Sequence, residues 1–492
     1  MLVAGVLLLA GVGAALVASR VGVPLLVAFL GLGMAFGSEG FGGIAFDDPD
    51  LARAVGVVGL VAILYEGGLT TSSRDVRDVM LPAGLLSTFG VLVTAAIAGG
   101  SAFLLLDLSA GAALLVGAVV ASTDAAAVFA TLRFTTLRRR LGGLLEAESG
   151  LNDPLAVALT LGLIAWLTEP VYGAADFAAL LARQLGLGLV VGMGLGLLAS
   201  HAARRLPMTL APFAPVASLG VASLSYGATA AAGGSGFLAV YLVGLWVGNT
   251  PTPFRRQIVA FHQGLAFLAQ VVLFVVLGLL VFPSQLGPVA LPGLALAAVL
   301  ALVARPVAVW LCTIGQRFDA RERVFLSWAG LRGAVPIVLG TFALSEGVTA
   351  SGTIFNAVFF VVGISALVQG PTLEPLARRL GLAGEARPLY QPPLEVGAVR
   401  GADLVEYVVA ASDAIVGARV RELGLPRTAL VAAIVRDDEA LPPRGRTPIA
   451  AADRLYVIVR AEDRVRVEDL FSHWEEGPLP VPLRAVERDG PA

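Results

Sequence analysis

Apolar runs long enough to cross a bilayer follow one another from the first residues to about residue 380, and then stop. At about 20 residues per crossing, the pattern predicts about thirteen helices, over 2–18, 22–38, 54–70, 80–106, 110–132, 141–167, 177–200, 207–231, 235–249, 258–282, 288–312, 322–344 and 352–377. The polar connections between them alternate in sign. One set carries Arg20, Arg74, Arg77, Arg138, Arg139, Arg140, Arg204, Arg205, Arg255, Arg256, Arg317, Arg321, Arg323, Arg378 and Arg379. The other carries Glu39, Asp47, Asp48, Asp50, Asp107, Glu169, Asp176 and Glu346, with little base beyond Arg53 and Arg183. Basic connections stay in the cytoplasm, so the N-terminus is expected outside and the C-terminus inside, as an odd helix count requires. The apolar start, Met1 to Ser19, ends in small residues as a leader would. It has no basic region ahead of it, and it reads as the first helix.

After Arg379 the pattern changes. Residues 381–397, rich in Gly, Pro and charge, read as a linker. Residues 398–474 read as a small cytoplasmic α+β domain. Strands are expected at Glu406–Ala411, Ala429–Arg436 and Arg454–Arg460, and helices at Ala418–Leu423 and Glu462–Phe471. The Pro-rich tail, 475–492, has the composition of a disordered segment. The expected fold class is therefore an all-α polytopic membrane domain over 1–380 followed by that α+β domain.

Composition agrees. The chain is 57% hydrophobic and 14% charged, against about 25% charged for a soluble protein. A net charge of −2 argues for no polyanionic partner, nucleic acid included. The single Cys312 excludes an intramolecular disulfide and a multi-Cys metal site, and reads as a small core residue. Gly11-Val12-Gly13 lies inside the first helix, where a dinucleotide fingerprint has no meaning. No P-loop and no nucleophile–base pair stand out, so an enzyme is not expected.

The candidate chemistry is acid placed at membrane depth. A carboxylate in hydrocarbon costs several kcal/mol unless it is paired, hydrated or binding something. Asp124 stands in Ser122-Thr123-Asp124-Ala125-Ala126, in the middle of the fifth run, where small polar residues let a helix unwind and lend carbonyls. The alternative is an Asp that only caps a broken helix. In Glu148-Ser149-Gly150-Leu151-Asn152-Asp153-Pro154, helical spacing puts Ser149, Asn152 and Asp153 on one face. Hydroxyl, amide and carboxylate oxygens suit Na⁺ or K⁺. Ser149 as an interhelical hydrogen bond is the competing reading, and Asn152 is expected to bond the broken fifth helix. Glu148 points away and needs a partner; Arg332, in Gly330-Leu331-Arg332-Gly333-Ala334-Val335-Pro336, is the expected one. Gly333 and Pro336 mark a second interrupted helix, and paired interruptions point to a transport site. Arg305 is expected to satisfy carbonyls or acids inside the bundle. Glu66, near the inner end of the third helix, is either an end-cap or a cation-funnel group. His262 reads as an interfacial histidine, and Asn249 and Gln270 as interhelical hydrogen-bonders.

Together, Thr123-Asp124, Glu148-Ser149 with Asn152-Asp153, and Gly330-Leu331-Arg332-Gly333-Ala334 resemble the monovalent cation:proton antiporter-1 family over about residues 1–380. The stretch Gly37 to Asp47 resembles its bacterial potassium/proton subgroup, and the C-terminal module resembles the regulator-of-potassium-conductance C-terminal (RCK-C) domain. The subgroup often carries a further C-terminal domain, which this shorter chain is expected to lack. The resemblance implies thirteen helices with inverted repeats and crossed broken helices, in a homodimer in the bacterial cell membrane. It implies an ion site from Thr123, Asp124, Ser149 and Asp153, with Glu66 nearby through water. Asn152 stands where electrogenic relatives carry a second Asp, which implies one proton for one cation. The cargo is K⁺ first, with Na⁺ as the alternative, and no resident cofactor is expected. The soluble module is expected to take a small effector, a cyclic dinucleotide by analogy. The rival readings are an RCK-regulated cation channel, for which no Thr-Val-Gly-Tyr-Gly filter is found, and a membrane sensor that transports nothing.

Overall fold

The computed structural model describes residues 2–21, 23–77, 79–132, 136–205, 212–252, 254–384, 402–436, 439–460 and 463–477. The chain forms two compact units, the larger running to Ala383. In the larger unit helices fall in every range the apolar runs marked, with 206–211, at the start of the eighth, outside the described residues. Among the described residues, seven are long and apolar enough by length and composition to cross a membrane: Pro49–Thr70, Met80–Leu105, Arg140–Thr168, Ala174–Arg205, Arg255–Leu279, Pro283–Cys312 and Ser351–Arg379. Shorter apolar helices such as Leu25–Phe36 and Gly236–Gly248 accompany them.

The fifth and twelfth runs are each two half-helices. The first pair is Ala110–Val119 and Ala125–Thr131. Ser109 starts it by accepting the Ala112 N–H. Ser122, Thr123 and Asp124 stop it, because their short polar side chains compete for the backbone. The second pair is Ala320–Trp328 and Ala334–Ser345. Asp319 and Glu322 begin it as a reciprocal capping box, at 2.7 and 3.0 Å, and Gly330 and Gly333 break it. Pro336 lies in the first turn of the resumed helix, where its missing N–H is tolerated. Each pair follows a helix carrying one wide π turn, Leu86–Gly90 in the first case and Leu300–Ala304 in the second. Close approach is built from small residues. At Gly117 a Cβ would lie 2.1 Å from the Ala95 carbonyl oxygen, so the half-helix Ala110–Val119 touches Met80–Leu105 backbone to backbone.

The smaller unit holds an antiparallel sheet in the spatial order Ala402–Val408, Arg454–Arg460, Ala429–Arg436, Glu439–Leu441. The helix Arg464–Glu476 covers it, burying Trp474, whose indole N–H donates to Leu423 O at 2.8 Å. Asp453, fully buried, is gripped by Arg436 through two 2.7 Å bonds. Two of the expected strands, Ala429–Arg436 and Arg454–Arg460, are present as expected, and the first lies earlier than Glu406–Ala411, at Ala402–Val408. The expected helix Ala418–Leu423 is absent: only a single turn, Val420–Glu422, forms there. Gly417 and Gly424 bracket it with φ of 86° and 67°, and Arg419 bridges to Pro448, which holds the segment extended. The final helix runs past Phe471 to Glu476, so the start of the expected tail is helical. The expected linker falls mostly on 385–401, and the rest of the tail on 478–492, both outside the described residues.

Candidate ion site at the crossing of two broken helices

The two breaks interlock through their backbones. The Asp124 N–H donates to Leu331 O at 2.8 Å. In return, Arg332 Nη1 donates to Ala121 O at 2.8 Å and Ser122 O at 2.5 Å. Those carbonyls close the half-helix Ala110–Val119, whose C-terminal end carries partial negative charge. A guanidinium there satisfies acceptors that lipid cannot.

Asp124 does the opposite job. As the cap of Ala125–Thr131 its carboxylate accepts the Ala127 N–H at 3.0 Å and also bonds the Ala126 amide. It also lies over the start of Ala334–Ser345: a Cβ on Gly333, the cap of that helix, would fall 1.8 Å from Asp124 Oδ2. One carboxylate thus faces two positive helix ends. Asp124 is the helix cap that the sequence left as an alternative, and it is also a member of the acidic cluster. Gly333→Ala should therefore push Asp124 off both helix ends. We expect loss of transport with a lowered melting temperature, measured on purified protein and in vesicles; a variant with wild-type flux would refute the close approach.

Helix Arg139–Thr168 supplies the other side. Asn152, fully buried, donates through Nδ2 to Thr123 Oγ1 at 2.7 Å, as expected, and its Oδ1 has no hydrogen-bond partner among the described residues. Ser149 Oγ accepts the Ala125 N–H at 3.2 Å, so it serves the second half-helix. Asp153, 7% exposed, takes a hydrogen bond from Ser122 and lies close enough to Asp124 for their charges to interact. Among the described residues it makes no ion pair. Pro154 has no N–H, which leaves the carbonyl of Gly150 without its helical donor beside these oxygens. The structure thus brings together Thr123, Asp124, Ser149, Asn152 and Asp153.

The supporting charges differ from expectation in one pairing. Glu148 is held by Arg305, not Arg332: two parallel bonds join them, one of them at 2.8 Å between Nη2 and Oε2, with both side chains under 5% exposed. Arg332 is nearby but is committed to the Ala121 and Ser122 carbonyls. Arg305 follows the π turn Leu300–Ala304 and, among the described residues, its side chain donates only to Glu148. Ser365 and Gln369 are participants that the sequence reading missed, as is the bond from Ser122 to Asp153. Ser365 accepts the Arg332 N–H at 3.3 Å and donates to Gln369, which in turn donates to Trp328 O at 3.0 Å. This chain satisfies the end of the half-helix Ala320–Trp328. The signal available was a polar i, i+4 pair inside an apolar helix.

Glu66 is half-buried on Pro49–Thr70 and makes no hydrogen bond or ion pair with the cluster. His262 is not interfacial: it is 1% exposed, packed edge-on against Tyr65 at 4.7 Å between ring centroids, because the aromatic surface of Tyr65 and Phe261 closes over it. Asn249 does cross-link helices, donating to Thr71 O at 2.9 Å and accepting from the Ser73 N–H at 2.8 Å.

Two broken apolar helices that cross around paired acids define a membrane transporter, and the comparisons agree. Residues 5–379 match the family described as sodium/hydrogen exchanger, transmembrane, and residues 404–472 match the TrkA-C domain. The chain belongs to the sodium/hydrogen exchanger family; it is a multi-pass cation/proton antiporter and not an enzyme. It is 39% identical over 469 residues to the K(+)/H(+) antiporter NhaP of Alkalimonas amylolytica, covering 94% of this chain and 81% of that one. The K(+)/H(+) antiporter NhaP2 of Shewanella sp. (strain MR-4) is 39% identical over 465 residues, with the same coverage. Among solved structures, the sodium proton antiporter MjNhaP1 of Methanocaldococcus jannaschii aligns with a TM-score of 0.68 at 26% identity, over 76% of this chain and 97% of that one.

Proposed function

We propose that the protein exchanges one proton for one monovalent cation, K⁺ in preference to Na⁺, at Asp153. The observation that carries this reading is a contrast among three acids. Asp124 is answered by two helix ends and Glu148 by Arg305, whereas Asp153 meets only the Ser122 hydroxyl and the like charge of Asp124, with no cation beside it among the described residues. A buried carboxylate without a counter-charge needs a proton or a cation. With either bound, the crossing is neutralised and can change the side it faces; empty, it carries a charge that the membrane opposes. Competition for one carboxylate therefore couples the two fluxes.

Thr123, Ser149 and the free Oδ1 of Asn152 are the further oxygen ligands. Asn152 cannot add a second charge, which supports electroneutral exchange. K⁺ is placed first because the relatives at 39% identity are named potassium antiporters, while the neighbour named for sodium is 26% identical. The transport domain spans 1–380, with its N-terminus outside, its C-terminus inside and inverted repeats, and it works as a homodimer; Glu66 lies on the cytoplasmic approach. The module at 398–474 biases the transport equilibrium by binding a small effector such as a cyclic dinucleotide, which requires different affinities for the two states.

The test is dequenching of a pH dye in proteoliposomes titrated with K⁺, Na⁺, Rb⁺ and Li⁺. Saturable, K⁺-dependent proton flux that adds no net current is expected; single-channel current or no flux would overturn the reading. A chain ending at residue 394 should keep exchange and lose its response to the effector.

A further inference from the structure

Away from the crossing, a groove of about 590 Å³ opens on the flank of the larger unit. It forms where Pro283–Cys312, the half-helix Ala320–Trp328 and the end of Ser351–Arg379 meet. Its walls are apolar: Leu302 is 64% exposed, Val324 44% and Trp310 42%. The π turn Leu300–Ala304 widens the first helix at this point and turns Leu302 outward. The groove is built rather than accidental. Trp328 is fixed by donating to Thr372 Oγ1 at 2.8 Å, and the Arg323 guanidinium lies 5.1 Å over the Trp310 ring while donating to Thr313 O.

The lip is basic. Arg378 is already taken by Glu374 at 2.7 Å. Arg379, which lines the groove, is exposed and makes no side-chain hydrogen bond or ion pair among the described residues. Trp310, in the last turn of Pro283–Cys312, marks headgroup depth, and this is the end that carries the Arg-rich connections. Basic pockets between helices on that side suit anionic lipid headgroups. Arginine in turn matches phosphate geometry.

We propose that this groove binds an anionic glycerophospholipid of the cytoplasmic leaflet, with one acyl chain along Leu302, Val324 and Leu376 and its phosphate on Arg379. The groove lies beside the half-helix whose end forms the second break, so the lipid braces that half-helix from the membrane side.

The test uses the full chain, exchanged from mixed phosphatidylglycerol and phosphatidylcholine bilayers into detergent, with retained lipid counted by native mass spectrometry. The wild type should keep phosphatidylglycerol over phosphatidylcholine, and added phosphatidylglycerol should raise its melting temperature. Arg379→Ala should lower the retained phosphatidylglycerol about tenfold, equivalent to about 1.4 kcal/mol. Val324→Trp, on an exposed position, should fill the groove and give the same loss without unfolding the protein. Arg378→Ala, which removes an arginine already paired, should leave retention near wild type. Equal retention of the two lipids, or a preference that survives both Arg379→Ala and Val324→Trp, would overturn the proposal.

Discussion

Asp153→Asn is expected to give a folded protein with no cation-dependent proton flux above that of empty vesicles. Asparagine has nearly the same shape, and its amide oxygen can still accept from Ser122. What disappears is the group that changes charge, and with it the exchange of a proton for a cation. The substitution also separates transport from stability. An unpaired buried carboxylate carries a desolvation penalty with nothing to offset it, so its neutral replacement should melt at the wild-type temperature or above. Asp124→Asn is the control, because asparagine caps helices as well as aspartate does and the bond to Ala127 survives. If Asp153→Asn still exchanges K⁺ for H⁺ while Asp124→Asn does not, the two acids have been given each other's roles.

How much of this could be read before folding depends on range. Spans were legible because an apolar run of crossing length needs no partner to identify it. The breaks were legible too: Ser122-Thr123-Asp124 and Gly330 with Gly333 are local statements about backbone. Ser149, Asn152 and Asp153 could be grouped because helical spacing alone sets a face. The Glu148 partner could not be chosen that way. Arg305 and Arg332 are both arginines in apolar surroundings, and the choice between them is made by the carbonyls of Ala121 and Ser122, which reach Arg332 only when the two breaks cross. Ser122 was visible as a small polar neighbour, but its bond to Asp153 depends on how Arg139–Thr168 is rotated against the first break. His262 failed for a related reason. Position near a helix end suggests an interface, whereas the packing of Tyr65 and Phe261 decides burial. In the smaller unit, periodicity suggested a helix at Ala418–Leu423, but two left-handed glycines outweigh it.

The second large effect is one of stability. Glu148→Gln leaves Arg305 buried without a counter-charge, beside the second buried guanidinium of Arg332. Removing one member of a buried ion pair costs about 3–5 kcal/mol. We expect a melting temperature several degrees lower and a smaller yield of folded protein. Replacing both partners with neutral side chains removes the stranded charge, so Glu148→Gln with Arg305→Met should recover most of the loss. The same rescue attempted with Arg332→Met should fail, because it opens the Ala121 and Ser122 carbonyls at the end of the half-helix Ala110–Val119. A double-mutant cycle read by thermal melts decides between the two arginines. Strong coupling of Glu148 to Arg305 and weak coupling to Arg332 is the expected result. The reverse would mean that the crossing is held by the pairing the sequence suggested, and that the carbonyl ends of the first break are satisfied in some other way.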